Sequence, residues 1–166
     1  MRLQIRFLRP VGLVALALGM ATTTFVASSS PASAQPSCAG ALATIIGTPA
    51  PNLLIGGPGP DVILGLGGDD VILGLGGNDI ICAGDDDDYV DGGAGDDLIG
   101  GGDGNDDAYG SAGADLLLGS TGDDQLFGGA GVDTLDGDAG NDFLDGGIQL
   151  DACFGGAGAN VLVNCP

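Results

Sequence analysis

GGPGPDVIL, from Gly56 to Leu64, opens a nine-residue pattern that is written eleven more times, to Val163, without an insertion or a deletion. The later copies read GLGGDDVIL (65–73), GLGGNDIIC (74–82), AGDDDDYVD (83–91), GGAGDDLIG (92–100), GGDGNDDAY (101–109), GSAGADLLL (110–118), GSTGDDQLF (119–127), GGAGVDTLD (128–136), GDAGNDFLD (137–145), GGIQLDACF (146–154) and GGAGANVLV (155–163). Aspartate holds the sixth place in eleven of the twelve copies. Glycine holds the first place in all but the fourth copy, where Ala83 stands, and the fourth place except at Asp86 and Gln149. Place eight is apolar in every copy, from Ile63 and Ile72 to Cys153 and Leu162. Upstream, GTPAPNLLI (47–55) keeps the register with Asn52 in the aspartate's place, a degenerate starting copy of the kind that ends many repeat arrays.

Glycines at places one, two and four suit a tight turn that needs positive φ and close backbone approach. Places seven to nine suit a short strand whose middle side chain points inward. Turn and strand in alternation make a coil in which two copies complete one rung of eighteen residues. Twelve copies therefore predict an all-β, right-handed parallel β-roll (a β-solenoid) of about six rungs, with a short N-terminal cap.

Stacking at that interval places every second aspartate above its predecessor. One edge carries Asp61, Asp79, Asp97, Asp115, Asp133 and Asp151; the other carries Asp70, Asp88, Asp106, Asp124 and Asp142 and ends at Asn160. Two carboxylates at the usual strand spacing of about 4.8 Å repel by about 0.9 kcal/mol in water and about 3.5 kcal/mol at an effective dielectric of 20. Summed over two ladders this rivals the roughly 5–15 kcal/mol that holds an ordinary domain together. Bound cations must neutralise it. Calcium suits the donors, because it takes six to eight oxygen ligands in irregular geometry and accepts backbone carbonyls. Zinc and softer metals want His or thiolate, whereas residues 35–166 contain no His and only four scattered cysteines. The eleven aspartates are thus the expected ligands of several Ca2+ ions. The core of one inward side chain per copy is thin, so the metal-free chain is expected to be largely unfolded and calcium binding coupled to folding.

Arg2, Arg6 and Arg9, the apolar run 11–20 and the small-residue stretch ending at Ala34 read as a secretory signal peptide over 1–34. The apolar run is about half the roughly 20 residues a membrane-spanning helix needs. Those arginines are the only basic residues in the chain. Residues 35–166 hold all 23 acidic groups, every one an aspartate, for a net charge of 0 − 23 = −23. Such a surface repels nucleic acid and anionic lipid, so neither nucleic-acid binding nor membrane insertion is expected. The domains expected are the leader 1–34, a cap with the degenerate copy over 35–55, the calcium-binding roll over 56–163 and a tail over 164–166.

The consensus G-G-x-G-x-D-x-U-x of these copies resembles the RTX, or haemolysin-type, calcium-binding nonapeptide repeat. The resemblance covers 56–163, and the runs CAGALATIIGT, DVILGLGGNDIIC and DACFGGAGANVLVNC are similar to secreted, actinobacterial-like members that consist of repeats. It implies that the first six residues of each copy form a loop. The place-six aspartate and loop carbonyls then bind an ion shared between loops two copies apart. Departures weaken particular sites: Asp86 in the fourth copy those around Asp88, Gln149 and Leu150 the one at Asp151, and Asn160 the last, where it offers a neutral ligand. Ala108 thins the core in the sixth copy.

Cys38, Cys82, Cys153 and Cys165 form an even set in an exported chain, for which disulfides are the default. Three connectivities are open. Cys38–Cys82 with Cys153–Cys165 is favoured, since each pair ties a terminal segment to the nearest end of the coil. A secreted, stand-alone extracellular calcium-binding module with a structural or interaction role is the expected function. The alternative is an accessory or surface-recognition module for adhesion or self-assembly, in which the outward residues Val62, Leu64, Val71, Leu73 and Ile80 lie either under 35–55 or in a contact surface. A hydrolase is disfavoured, since residues 35–166 offer no His, Lys, Arg or Glu for acid, base or oxyanion work. The identity of a protein or cell-surface partner is not encoded in the pattern.

Overall fold

A computed structural model describes residues 37–166; the leader expected over 1–34 lies outside the described residues. Strands β3 (Ile45–Ile46), β5 (Val62–Gly67), β7 (Ile80–Asp85), β9 (Leu98–Asp103), β11 (Leu116–Thr121), β13 (Thr134–Ala139) and β15 (Ala152–Phe154) form one parallel sheet. The facing sheet holds β4 (Leu53–Ile55), β6 (Val71–Leu73), β8 (Tyr89–Ala94), β10 (Asp107–Ala112), β12 (Gln125–Ala130), β14 (Phe143–Ile148) and β16 (Val161–Val163). Each strand pairs with the one eighteen residues on, Ile63 opposite Ile81 and Ala108 opposite Leu126, which is the interval the copies dictate. The fold is the expected parallel β-roll, of seven turns rather than six. The degenerate copy supplies the difference: β3 and β4 pair with β5 and β6, and Leu54 joins the core, so this segment is a rung as well as a cap.

The full-length strands run six residues, through places seven to nine and on through places one to three of the next copy. Expected loops of six residues therefore contract to turns at places four to six. The extension works because the place-two residue takes a positive φ inside the strand (Leu66 at 89°, Ser111 at 74°, Gly93 at 102°), which lets pairing skip place one and resume. Place four takes a second positive φ, as at Gly95 (132°). Non-glycine residues adopt it too, Asp86 at 79° and Gln149 at 96°, so the irregular fourth and eleventh copies keep the coil's backbone path.

Inside the coil three places point inward: the aspartate, the aliphatic residue at place eight and the glycine at place one. Ile63, Ile72, Ile81, Val90, Ile99, Ala108, Leu117, Leu126, Leu135 and Leu144 form a single file with no solvent exposure, contributed alternately by the two sheets. An antiparallel hairpin, β1 (Ser37–Cys38) and β2 (Ala41–Leu42), packs beside β5 and β7. The Cys38–Cys82 disulfide anchors it there, and Cys153–Cys165 fastens the C-terminal end, with Cα–Cα distances of 5.8 Å in both. Val62, Leu64 and Ile80, beneath or beside the hairpin, are half-buried, whereas Val71 on the other sheet is exposed.

Candidate metal centre

Each aspartate enters the interior at the end of a turn, where place six begins the next strand. From Asp70 onward its Oδ1 accepts the backbone N–H of the place-six residue eighteen positions earlier. Asp61 donates to Asp79 at 2.8 Å, Asp70 to Asp88 at 2.7 Å, Asp88 to Asp106 at 2.9 Å and Asp115 to Asp133 at 2.9 Å. One oxygen of each of the ten carboxylates from Asp70 to Asp151 is thereby fixed by the backbone of its neighbour, and the other is aimed by it.

That second oxygen has no protein partner. Oδ2 of Asp70, Asp79, Asp88, Asp97, Asp106, Asp115, Asp124, Asp133, Asp142 and Asp151 is buried and unpaired. Burying a carboxylate oxygen without a partner is among the more costly arrangements a fold can contain, so ten in register call for a common counterpart. Burial pushes the carboxyls of Asp88, Asp97, Asp115 and Asp124 up to about 6 and that of Asp106 to about 7, against the pull of the backbone hydrogen bond and with help from neighbouring aspartates. Asp70, Asp79 and Asp133 are raised for the same leading reason.

The place-one glycines line the space beside these oxygens. A Cβ on Gly128 would meet Asp133 Oδ2 at 2.5 Å and the Gly146 carbonyl oxygen of the next rung at 2.7 Å; one on Gly110 would meet Asp115 Oδ2 and the Gly128 carbonyl at 2.8 Å. An unpaired carboxylate oxygen and a backbone carbonyl thus converge on a cradle that a side chain would fill. In the fourth copy the buried methyl of Ala83 stands at that place. Among the described residues no three acidic or cysteine side chains converge on one point, so a bound ion must complete its shell with main-chain carbonyls and water. A hard cation of high, irregular coordination number fits that donor set, and calcium is such a cation.

The coil therefore brings ten of the eleven expected ligands into two columns and sets Asp61 apart. Asp61 is only half-buried, and its Oδ2 accepts the Gly57 N–H at 2.6 Å. Asp88 and Asp151, in the irregular copies, hold their Oδ2 atoms as the others do. Asn160, at the last place six, holds its amide in its own way. Its Oδ1 accepts the Asp142 N–H at 2.7 Å, and its Nδ2 donates to the Gly155 carbonyl. A second ladder on the outside of the turns escaped the sequence reading. Asn105 N–H donates to Asp87 Oδ1 at 2.8 Å, Asp123 N–H to Asn105 Oδ1 at 2.9 Å and Asn141 N–H to Asp123 Oδ1 at 2.8 Å. The alternation of Asp and Asn at place five in every second copy was its signal.

Comparison with curated proteins yields no match. The sequence model of the RTX calcium-binding nonapeptide repeat (4 copies) matches residues 46–81, 76–108, 100–135, 109–144 and 127–162. These overlapping matches run through both sheets and both aspartate columns, and the chain belongs to the RTX calcium-binding nonapeptide repeat family.

Proposed function

We propose that the chain is an extracellular calcium-binding module whose β-roll folds as ions bind. The ten buried, unpaired Oδ2 atoms carry the reading, since a cation column along each edge is what would make their burial tolerable. Bound calcium would supply the positive charge that residues 35–166 lack. The leader pattern and the two disulfides support export to an oxidising compartment, where sites of this general kind bind at about 10⁻⁴–10⁻³ M. The role assigned is structural rather than catalytic. A calcium titration followed by far-ultraviolet circular dichroism tests it: a strand spectrum is expected to appear with calcium and vanish with chelator. A strand spectrum that persists unchanged in excess chelator at neutral pH would reject the coupling.

One observation favours an added recognition role. On the outer face of the second sheet Tyr89, Tyr109, Phe127 and Phe143 form a continuous row, with ring centroids 5.3, 4.8 and 5.6 Å apart. Asp107, Asp91 and Asp145 sit opposite Tyr89, Tyr109 and Phe127 in the strand register. Aromatic rings bordered by carboxylates suit an amphipathic basic segment, whose apolar side chains would pack on the rings and whose Arg or Lys would meet the carboxylates. Binding of an arginine-bearing amphipathic peptide in calcium, abolished by Tyr109→Ser with Phe127→Ser, is the expected result. Equal binding by the variant, or self-association in place of peptide binding, would refute it.

A further inference from the structure

Of the thirteen turns whose place six is Asp or Asn, three satisfy that side chain internally. In the first, Asn52 Oδ1 accepts the Thr48 N–H at 2.6 Å while Nδ2 donates to Thr48 Oγ1 at 3.0 Å. In the second, Asp61 Oδ2 accepts the Gly57 N–H at 2.6 Å, and the Thr44 hydroxyl lies 3.4 Å from Oδ1. In the last, Asn160 uses its oxygen to accept the Asp142 N–H, which forces the amide nitrogen to the side where every internal aspartate holds Oδ2. There Nδ2 donates to the Gly155 carbonyl at 2.5 Å, and a Cβ on Gly155 would meet that nitrogen at 2.7 Å. The cradle of the last turn is therefore filled by a hydrogen-bond donor.

We infer that these three turns delimit the metal ladder, so that ions are confined to the gaps between the ten aspartates from Asp70 to Asp151. The inference rests on the calcium reading above and fixes its extent. An amide N–H presents its positive end to the cradle and repels a cation, while it engages the carbonyl that would otherwise serve as a ligand. At the other end the closure comes from backbone N–H groups, so it is independent of whether place six is Asn or Asp. Each edge then holds five aspartates, Asp70, Asp88, Asp106, Asp124 and Asp142 on one and Asp79, Asp97, Asp115, Asp133 and Asp151 on the other, with four gaps apiece, or 4 + 4 = 8 shared sites; the Asp88 turn counts among them because the Ala83 methyl, unlike the Asn160 amide, brings no donor and leaves Asp88 Oδ2 unpaired. Sequence spacing alone gives nine, because it counts Asp61 with Asp79.

Equilibrium dialysis of the purified protein at millimolar free calcium, with ions counted per molecule, tests the assignment. Eight are expected for the unmodified chain, for Asp61→Asn and for Asn52→Asp, because none of these alters an open gap. Asn160→Asp removes the donor, frees the Gly155 carbonyl and creates one gap with Asp142, so nine are expected. A count of nine that falls to eight in Asp61→Asn overturns the inference, as does Asn160→Asp remaining at eight while its strand spectrum in calcium is intact. Should Asn160→Asp not fold, Asp61→Asn alone decides. A count near zero in every variant would instead overturn the calcium reading itself, a result distinct from a misplaced boundary.

Discussion

Asp106→Asn is expected to stabilise the coil without metal and destabilise it with metal. Burial, with Asp124 and Asp88 as like charges above and below, pushes this carboxyl from 3.8 up to about 7. Keeping it ionised above pH 7 costs at most about 4 kcal/mol at roughly 1.4 kcal/mol per pKa unit. Water near the turn screens that to about 2 kcal/mol. Asparagine removes the charge and can keep the hydrogen bond, since Asn160 shows an amide oxygen accepting the same kind of N–H, at 2.7 Å, that Asp88 donates to Asp106 at 2.9 Å. In chelator, with an osmolyte that brings the metal-free chain into its folding transition, the variant should therefore be more stable by about 2 kcal/mol. In calcium the sign reverses, because Asp106 faces two gaps and each ion bound at about 100-fold its dissociation constant contributes about 2.7 kcal/mol. Urea unfolding followed by circular dichroism at pH 7.5, in each condition, measures both. A shift of the same sign in chelator and in calcium would refute the reasoning.

The raised carboxyls give the metal-free protein an unusual pH dependence. Folded values of about 6 to 7 at Asp88, Asp97, Asp106, Asp115 and Asp124 lie above the ordinary 3.8, so protonation favours the fold. That stabilisation is complete below about pH 4 and lost as pH rises through 6 to 7. Strand signal in chelator should thus grow from about pH 7.5 to about pH 5, while apparent calcium affinity falls over the same window; a flat profile would contradict the burial. Gln149→Gly relieves the strained φ of 96° and should raise stability by about 1 kcal/mol, read from the urea midpoint. Replacing Cys38 and Cys82 by serine opens a 44-residue span, for which chain entropy predicts a loss of about 4 kcal/mol. It should also release the hairpin from β7 and raise dye binding to Val62, Leu64 and Ile80; an unchanged melting temperature would count against that role.

Much of the fold was legible because the copies are in perfect register. Eighteen-residue stacking and the inward file from Ile63 to Leu144 follow from period and polarity, and of the three open cysteine connectivities the favoured one, tying each terminal segment to the nearest end of the coil, is the one found. Strand length was not legible, because glycine at places one and two reads as turn, and only the backbone reveals that positive φ at place two lets pairing continue. The first rung was underestimated for a related reason: GTPAPNLLI keeps only the place-one glycine, Gly47, of its successors, yet Leu54 pairs with Ile72 and seats it on the coil. At the site, spacing identifies the aspartates but treats all eleven alike. What separates Asp61 is a single N–H from Gly57, and what separates Asn160 is which end of its amide faces the cradle, and neither is a property of residue type.

Calcium's anomalous scattering from crystals grown with abundant Ca2+ tests the central claim most directly. Peaks are predicted in two columns, each beside the Oδ2 atoms of aspartates eighteen residues apart between Asp70 and Asp142 and between Asp79 and Asp151. Columns without peaks, with those oxygens turned to water or paired to protein donors, would contradict the account.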